Sequence, residues 1–550
     1  RASTSVSKLL LYGPIIYILN VDAVYIDIIQ RAGLLDVKTD EEFIRIGKLL
    51  SDNAKSLQHI ASIDLRPIFE IHCLVNRTLT PINWQLEKHH RTFPDVADLD
   101  PDLVYYLSKQ IFRKGRLLNE GRFKYKKMSW MAFWKQRVEW ATAGAFSSKY
   151  DEDIVNMDRL NKGFQNKFYY FISSDTNTSM FRYLNGKPML DANVSIKYEW
   201  AKQRAIYGCD VTNYVISQFV MQNCEDLLAK DMAIGKNSDA TIVETKIDYI
   251  LDNKKPFCLD FEDFNAQHSL SSMRATLCAY MDVWRDQMSD EQRIACYWLL
   301  DSLDEQVVHD NIGLKDEYTA VGTLLSGWRL TSFANTVLNK VYFTMLQERY
   351  QVEHNSIHCG DDILVGIDNL KQVQNIYQNC VKFNIRLSPL KCFVNSIAEF
   401  LRIDHDKRGY GQYLPRATAT FIAGKIESKP AFNIRDIVEA IQTRASEIVN
   451  RGGSEYVTSA LSTQQAKNWL RKFNLSDTIL ELLLKLNRIQ GGISDLAPIR
   501  GVSIKILPDP TILKQLKDEY NIKIQPGVYE YAKLCLEQTG INNVAIKQAA

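Results

Sequence analysis

The feature that most constrains this chain is a pair of short apolar segments, residues 357–359 and 363–367, on either side of Gly360-Asp361-Asp362. Two apolar runs on either side of a glycine-led acidic tripeptide predict a tight β-hairpin. Such strands need partners and a cover, so the chain must build a sheet with carboxylates at its rim. Residues 257–261 carry the same signature, because the apolar run Phe257-Cys258-Leu259 ends in Asp260. If that strand lies beside the hairpin, Asp260 and Asp361 converge at one end of the sheet. Asp361 and Asp362 are neighbours on a strand, so alternation alone would send them to opposite faces unless the turn reorients one of them.

The flanking segments are helical in pattern. Residues 270–303 read as helix with a break near Ser289-Asp290, and 327–348 as one long helix. Asp368 or Asn369 is placed to cap a helix running to about Phe383. Residues 398–403 and 410–414 read as a second hairpin around Lys407-Arg408-Gly409, and 420–550 as mainly helical with a turn at Arg451-Gly452-Gly453. Strand, helices, hairpin, helix and hairpin in that order predict an α+β architecture, a small antiparallel sheet backed by helices. Repeats and low-complexity linkers are absent from the sequence. One continuous body with subdomains is therefore expected.

Charge narrows the partners. The 67 basic and 65 acidic residues leave a net charge of +2, which excludes binding driven by overall positive charge but not by a local basic patch. Residues 101–150 supply such a patch, with eleven basic residues against three acidic ones and aromatics interleaved among them, including Phe112, Phe123, Tyr125, Trp130, Phe133 and Trp134. Basic side chains neutralise phosphates and aromatic faces stack on bases. A solvated helical face with buried aromatics fits the same pattern. The ten cysteines form no CxxC pair, which leaves zinc and disulfide frameworks without support. The apolar run at 9–19 is too short to span a bilayer and contains Gly13 and Pro14, so no membrane partner is expected.

Two carboxylates from different strands suit divalent cations, because magnesium takes oxygen ligands from one or two carboxylates plus substrate phosphates. Two such ions serve in-line phosphoryl transfer. Between the acids in sequence lie Ser326, Gly327 and Thr331, then Asn335 and Asn339. Gly327 permits a close backbone approach. Thr331, Asn335 and Asn339 fall four residues apart and share one helix face. A polar stripe on an apolar helix must bond neighbouring loops or face a polar ligand such as a ribose.

These segments, in this order, resemble motifs A, B and C of viral RNA-dependent RNA polymerases, and most closely those of the totivirus family. Asp260 through Asn265, extended by Ala266-Gln267-His268, is similar to motif A. Leu325 through Thr331, continued to Asn339, is similar to motif B, and His358 through Leu364 to motif C. Residues 197–207 look like motif F, with Lys197 and Arg204, and Lys202 behind them, over the nucleotide triphosphate. Lys391 sits where motif D places a general acid. Glu399-Phe400-Leu401-Arg402 resembles the motif E hairpin, with Arg402 toward the primer strand. Residues 134–147, including Trp140 and Gly144, resemble a totivirus fingers element that contacts the template.

The resemblance implies a right-handed polymerase whose palm sheet is antiparallel and whose fingers and thumb are largely helical. It assigns 1–95 to an extension bridging fingers and thumb, and 96–250 with 304–326 to the fingers. Residues 251–303 and 327–414 would form the palm, and 415–550 the thumb and C-terminal region. Asp260 and Asp361, with Asp362 assisting, would bind two Mg2+ or Mn2+ ions. Ser326, Gly327, Thr331 and Asn335 would position template and ribose. Asn265 would read the ribose rather than bind metal, because it stands where the wider pattern has a second aspartate, and an amide both donates and accepts. The implied partners are RNA, ribonucleoside triphosphates and a viral capsid protein, the last as a fusion that would explain a first residue other than methionine. The implied location is inside the capsid in the host cytoplasm.

Overall fold

The computed structural model describes residues 8–77, 81–119, 122–160, 165–347, 355–394, 397–405, 413–423, 433–499 and 501. They fall into two compact units, each with its own core. One holds the described residues up to 81, with 198–203 and those from 397 onward. The other holds the described residues of 82–197 and 204–394. The fold is mixed α/β. Its strands are β1 (Leu190–Glu199), β2 (Lys202–Cys209), β3 (Lys255–Asp260), β4 (Gln306–Asp310), β5 (Asp316–Ala320), β6 (Ser356–Cys359), β7 (Asp362–Ile367), β8 (Phe393–Val394), β9 (Glu399–Phe400) and β10 (Ile403–Asp404).

In the second unit, β6-β7-β3-β8 form an antiparallel sheet. The central strand β3 buries Phe257, Cys258 and Leu259, which is why it reads as a continuous apolar run. The Ala240–Ile250 and Thr331–Met345 helices cover β6, and the Leu370–Lys382 helix covers β7. Behind them the Pro101–Leu118 helix packs against Leu270–Trp284. Asp100 caps the former by accepting from Asp102 N, with Pro101 at its first position. The break near 289 is a capping box. Ser289 accepts from the Gln292 backbone N–H, Gln292 accepts from the Ser289 N–H, and a new helix runs Asp290–Asp301. Asn369 is the cap chosen for Leu370–Lys382.

Several expectations are corrected. The unit holds a second sheet, ordered β2-β1-β4-β5, in which β1 pairs β4 in parallel, within a region expected to be largely helical. The aromatics of 101–150 are mostly core. Phe112, Trp130, Phe133, Trp134 and Trp140 are buried and packed against one another or their neighbours. Part of that segment's positive charge is also matched. Lys109 pairs with Asp282, Lys114 with Asp231 and Arg116 with Asp286. Arg137 is buried and donates to the carbonyls of Phe171 and Trp134.

In the first unit, the Asp40–Leu57, Leu414–Ala423, Ile434–Asn450 and Glu455–Lys472 helices surround an apolar core. The hairpin expected across 398–414 is tighter than the sequence implies. β9 and β10 pair Phe400 with Ile403, the turn is Leu401-Arg402, and Leu414 already begins a helix. Residues 406–412 and 502–550, which carry the expected second strand and the end of the helical C-terminal region, lie outside the described residues. Among the described residues no helix is long and apolar enough to cross a membrane.

Candidate active site

The antiparallel register sets Asp260 of β3 directly across from Asp362 of β7, so the two share a face at one end of the sheet. Asp361 occupies the turn, exposed, between β6 and β7. Gly360 takes a φ of +59°, the left-handed region that a two-residue hairpin with glycine at its first position requires. The three acids expected from sequence therefore meet at one sheet edge.

The turn is strapped to the Thr331–Met345 helix. Gly360 N–H donates to Thr336 Oγ1 at 2.9 Å. The Asn339 amide donates to the carbonyls of Gly360 and Asp362, at 2.9 and 3.2 Å. That fixes the amide's orientation, so Asn339 Oδ1 must accept, and His358 Nδ1 at 2.7 Å carries the proton. His358 Nε2 is then the acceptor for Ser356 Oγ at 2.9 Å, and Ser356 in turn receives a bond from Lys340 Nζ. Lys340 is buried and pairs with buried Asp231 at 3.2 Å. Burial pushes the Asp231 carboxyl up, but Lys340 and Lys114 outweigh it and hold it below the usual carboxylate range. The Asp231 backbone carbonyl also accepts the His358 backbone N–H, and the buried ion pair is tied to the turn through Lys340, Ser356, His358 and Asn339.

Lys391 Nζ lies 3.0 Å from Asp260 Oδ1. Ser388 N–H bonds Asp260 O at 2.9 Å, so the loop bearing Lys391 is stitched to the end of β3. The ammonium shows that the Asp260 carboxylate accepts a cationic partner. Among the described residues no group of three or more His, Cys, Asp or Glu could hold a metal ion. A magnesium site that borrows phosphate oxygens needs only one or two carboxylates, and the acids at this edge meet that requirement.

Asn265 and Asn335 meet on the same side of the unit. Asn335 Nδ2 donates to Asn265 Oδ1 at 2.8 Å, and Asn265 Nδ2 donates to Leu324 O at 3.2 Å. Asn335 Oδ1 faces His268 Nε2 at 2.8 Å, and His268 Nδ1 faces Tyr342 OH at 2.9 Å. Thr331 Oγ1 lies 2.7 Å from Leu325 O and 2.8 Å from Trp328 O. Each member of the polar stripe thus has a protein partner. Sequence assigns no role to His268, His358, Lys340 or Asp231. Two of them, His268 and His358, stand inside motif segments, and for His358 its place between Ile357 and Cys359 adds a signal.

Gly327 sits where two backbones nearly touch. Gly208 at the end of β2 bridges Gly327, and a Cβ on Gly327 would lie 2.2 Å from Tyr207 O. A Cβ on Gly208 would meet nothing nearer than 3.8 Å. Gly327→Ala is therefore expected to lower the melting temperature by several degrees, while Gly208→Ala stays near the parent, read by thermal denaturation. Equal melting temperatures for the two would refute the close approach. Ser326 is exposed beside this contact, its Oγ 3.4 Å from Tyr207 N.

The remaining expected residues are dispersed. Lys197 on β1 and Arg204 on β2 are exposed in this unit. Lys202, in the other unit, lies 3.6 Å from Glu199. Arg402, also there, stands at the β9–β10 turn, 3.8 Å from Glu70. Gly144 leaves room for the Lys167 side chain, which a Cβ would meet at 2.8 Å. Trp140 corrects its expectation. It is 5% exposed, stacked on Phe133 at 4.4 Å, and its indole N–H donates to Phe133 O. An indole so enclosed offers no face to a template base.

The chain matches the family described as viral RNA-directed RNA-polymerase over residues 28–426. It is 34% identical over 495 residues to the probable RNA-directed RNA polymerase of Saccharomyces cerevisiae virus L-A, covering 88% of this chain and 32% of that protein. The corresponding protein of Saccharomyces cerevisiae virus L-BC is 31% identical over 80% of this chain and 29% of its own length. That of Leishmania RNA virus 1 is 24% identical over 74% of this chain and 46% of its own. The chain spans about a third of the length of the first two relatives. With its match over residues 28–426, the chain belongs to the viral RNA-directed RNA polymerase family.

Proposed function

We propose that the chain is an RNA-directed RNA polymerase that replicates and transcribes a double-stranded RNA genome, adding ribonucleoside triphosphates to an RNA 3′ end and releasing pyrophosphate. The observation that carries this reading is the meeting of Asp260, Asp361 and Asp362 at one edge of an antiparallel sheet. Fingers, palm and thumb would follow the segments set out above, with that sheet as the palm.

Asp260 and Asp361, with Asp362 assisting, would hold two Mg2+ or Mn2+ ions. Bound there, such ions would acidify the 3′-hydroxyl and neutralise the leaving pyrophosphate. The protein's own groups supply the rest. Lys391, already at Asp260, would hand a proton to the pyrophosphate. Lys197, Lys202 and Arg204 would neutralise the triphosphate as charge develops. Asn265 and Asn335 would bond the ribose, and Ser326, Gly327 and Thr331 would set the template nucleotide. Gly144 and Arg402 would border the RNA path. A capsid protein, as fusion partner, would enclose the enzyme in the host cytoplasm.

The test is template-directed synthesis by purified protein on single-stranded RNA, with magnesium or manganese and the four ribonucleotides. Labelled product complementary to the template is expected. Preferential use of deoxyribonucleotides would replace this reading with reverse transcription. RNA binding without synthesis under either metal would replace it with a non-catalytic RNA module.

A further inference from the structure

The amide pair Asn265–Asn335 has its orientation dictated from one end. Leu324 O can only accept, so the Asn265 atom 3.2 Å from it is the NH2 group. Asn265 Oδ1 therefore faces Asn335 Nδ2, and Asn335 Oδ1 faces His268. His268 Nε2 must then carry its proton, and Nδ1, left bare, is an acceptor for the Tyr342 hydroxyl, whose one proton it shares with Gln267 O at 3.2 Å. Burial pushes the His268 imidazole down to about 4, so the ring stays neutral and carries one proton. His268 is 0% exposed and touches no solvent.

The arrangement leaves a definite set of unused valences. Asn335 has its second N–H and one lone pair on Oδ1 left to offer a substrate. Asn265 keeps one N–H and one lone pair on Oδ1. A hydroxyl placed there both accepts and donates, and a sugar lacking it would leave those groups unpaired in a half-buried site. Without the His268 Nε2–H, Asn335 Oδ1 would lose its donor and the amide would be held from the Asn265 side alone.

We propose that His268 is a positioning residue for sugar selection, its Nε2–H holding the Asn335 amide, already oriented through Asn265, in the place that favours a ribose over a deoxyribose. This rests on the polymerase reading above, and the experiment separates the two. Single-nucleotide incorporation would be measured for a ribonucleotide and its 2′-deoxy counterpart, giving kcat/KM for each, in the parent, His268→Leu, His268→Gln and Tyr342→Phe, with melting temperatures alongside. Gln can place an N–H near the Nε2 position, so His268→Gln should keep selectivity within about threefold. His268→Leu should lower selectivity about tenfold, chiefly through slower ribonucleotide use with deoxyribonucleotide use little changed. Tyr342→Phe removes the hydroxyl that holds the ring at Nδ1 and lets it shift from Asn335. It should lose selectivity severalfold while the fold stays intact, and it carries the test if His268→Leu fails to fold.

Parallel losses for both sugars across the variants would make His268 a packing residue and overturn the proposal. So would parent selectivity in Tyr342→Phe. If the parent itself incorporates neither nucleotide, the polymerase reading falls first and the selectivity role with it.

Discussion

Asp361→Asn is expected to cut nucleotide addition by a factor on the order of a thousand or more while leaving RNA affinity and melting temperature near the parent values. The substitution keeps the shape and removes one negative charge. It leaves the turn intact, because every strap on the hairpin acts elsewhere. Thr336 receives the Gly360 N–H, and Asn339 holds the carbonyls of Gly360 and Asp362. Asp361 is exposed at the turn, where a carboxylate has no packing role to lose. What remains to it is charge, presented at the same sheet edge as Asp260 and Asp362. A site that concentrates cations against a triphosphate loses several kilocalories of transition-state stabilisation when one of its carboxylates becomes an amide, and each 1.4 kcal/mol is about tenfold. Filter binding on single-stranded RNA and single-turnover extension on the same preparation measure the two quantities. Parent-level extension by the variant would remove Asp361 from the chemistry. Parallel loss of binding and extension would mean that the charge holds RNA, and the acids would need another role.

What could be read from the sequence divides along a physical line. Features encoded within one segment were legible. β3 announces itself because a central strand is apolar on both faces and stops at an acid. The break near 289 is a local capping box, and the hairpin at 360 needs a residue that tolerates positive φ. Features that depend on distant segments were not. β1 alternates apolar residues at Leu190, Ala192 and Val194, yet its parallel partner β4 is polar at Gln306 and His309, and only the three-dimensional register reveals the pair. The charge of residues 101–150 looked uncompensated because Asp231, Asp282 and Asp286, which pair with it, lie far along the chain. The aromatics there were ambiguous for a different reason. Trp130, Phe133, Trp134 and Arg137 fall at helical spacing, which suits a buried face as well as a binding one, and the buried face is what forms. At the candidate site the acids were legible one by one, whereas the histidines that pair with Asn339 and Asn335 were not. Their importance lies in which ring nitrogen carries the proton, and only the hydrogen-bond partners determine that.

Lys391→Arg is expected to lower the maximal rate roughly a hundredfold with little change in the nucleotide KM, although it keeps the positive charge. Two roles fit the geometry. As an exposed counter-ion, the ammonium 3.0 Å from Asp260 merely balances a carboxylate. As a general acid, it delivers a proton to the leaving pyrophosphate. The loop itself is rigidly placed, since Glu262 N–H bonds Arg386 O, Ser388 N–H bonds Asp260 O, and Phe261 bridges Leu387. A side chain carried by that stitching moves with the end of β3 wherever Asp260 goes, which is what a proton donor at this centre requires. Arginine separates the roles. Its guanidinium pairs with a carboxylate at least as well as an ammonium does, but it holds its proton too tightly to give it up. A counter-ion role therefore predicts near-parent rates for Lys391→Arg and a defect only in Lys391→Leu. A proton-donor role predicts that both variants are slow and that Arg rescues nothing. Metal titration of the parent and Lys391→Leu adds an independent readout. Removing the ammonium takes away a competitor for Asp260, so Lys391→Leu should need less magnesium for half-maximal rate even as that rate falls. A variant that is slow and needs more magnesium would instead mean that Lys391 shapes the acid cluster and transfers no proton.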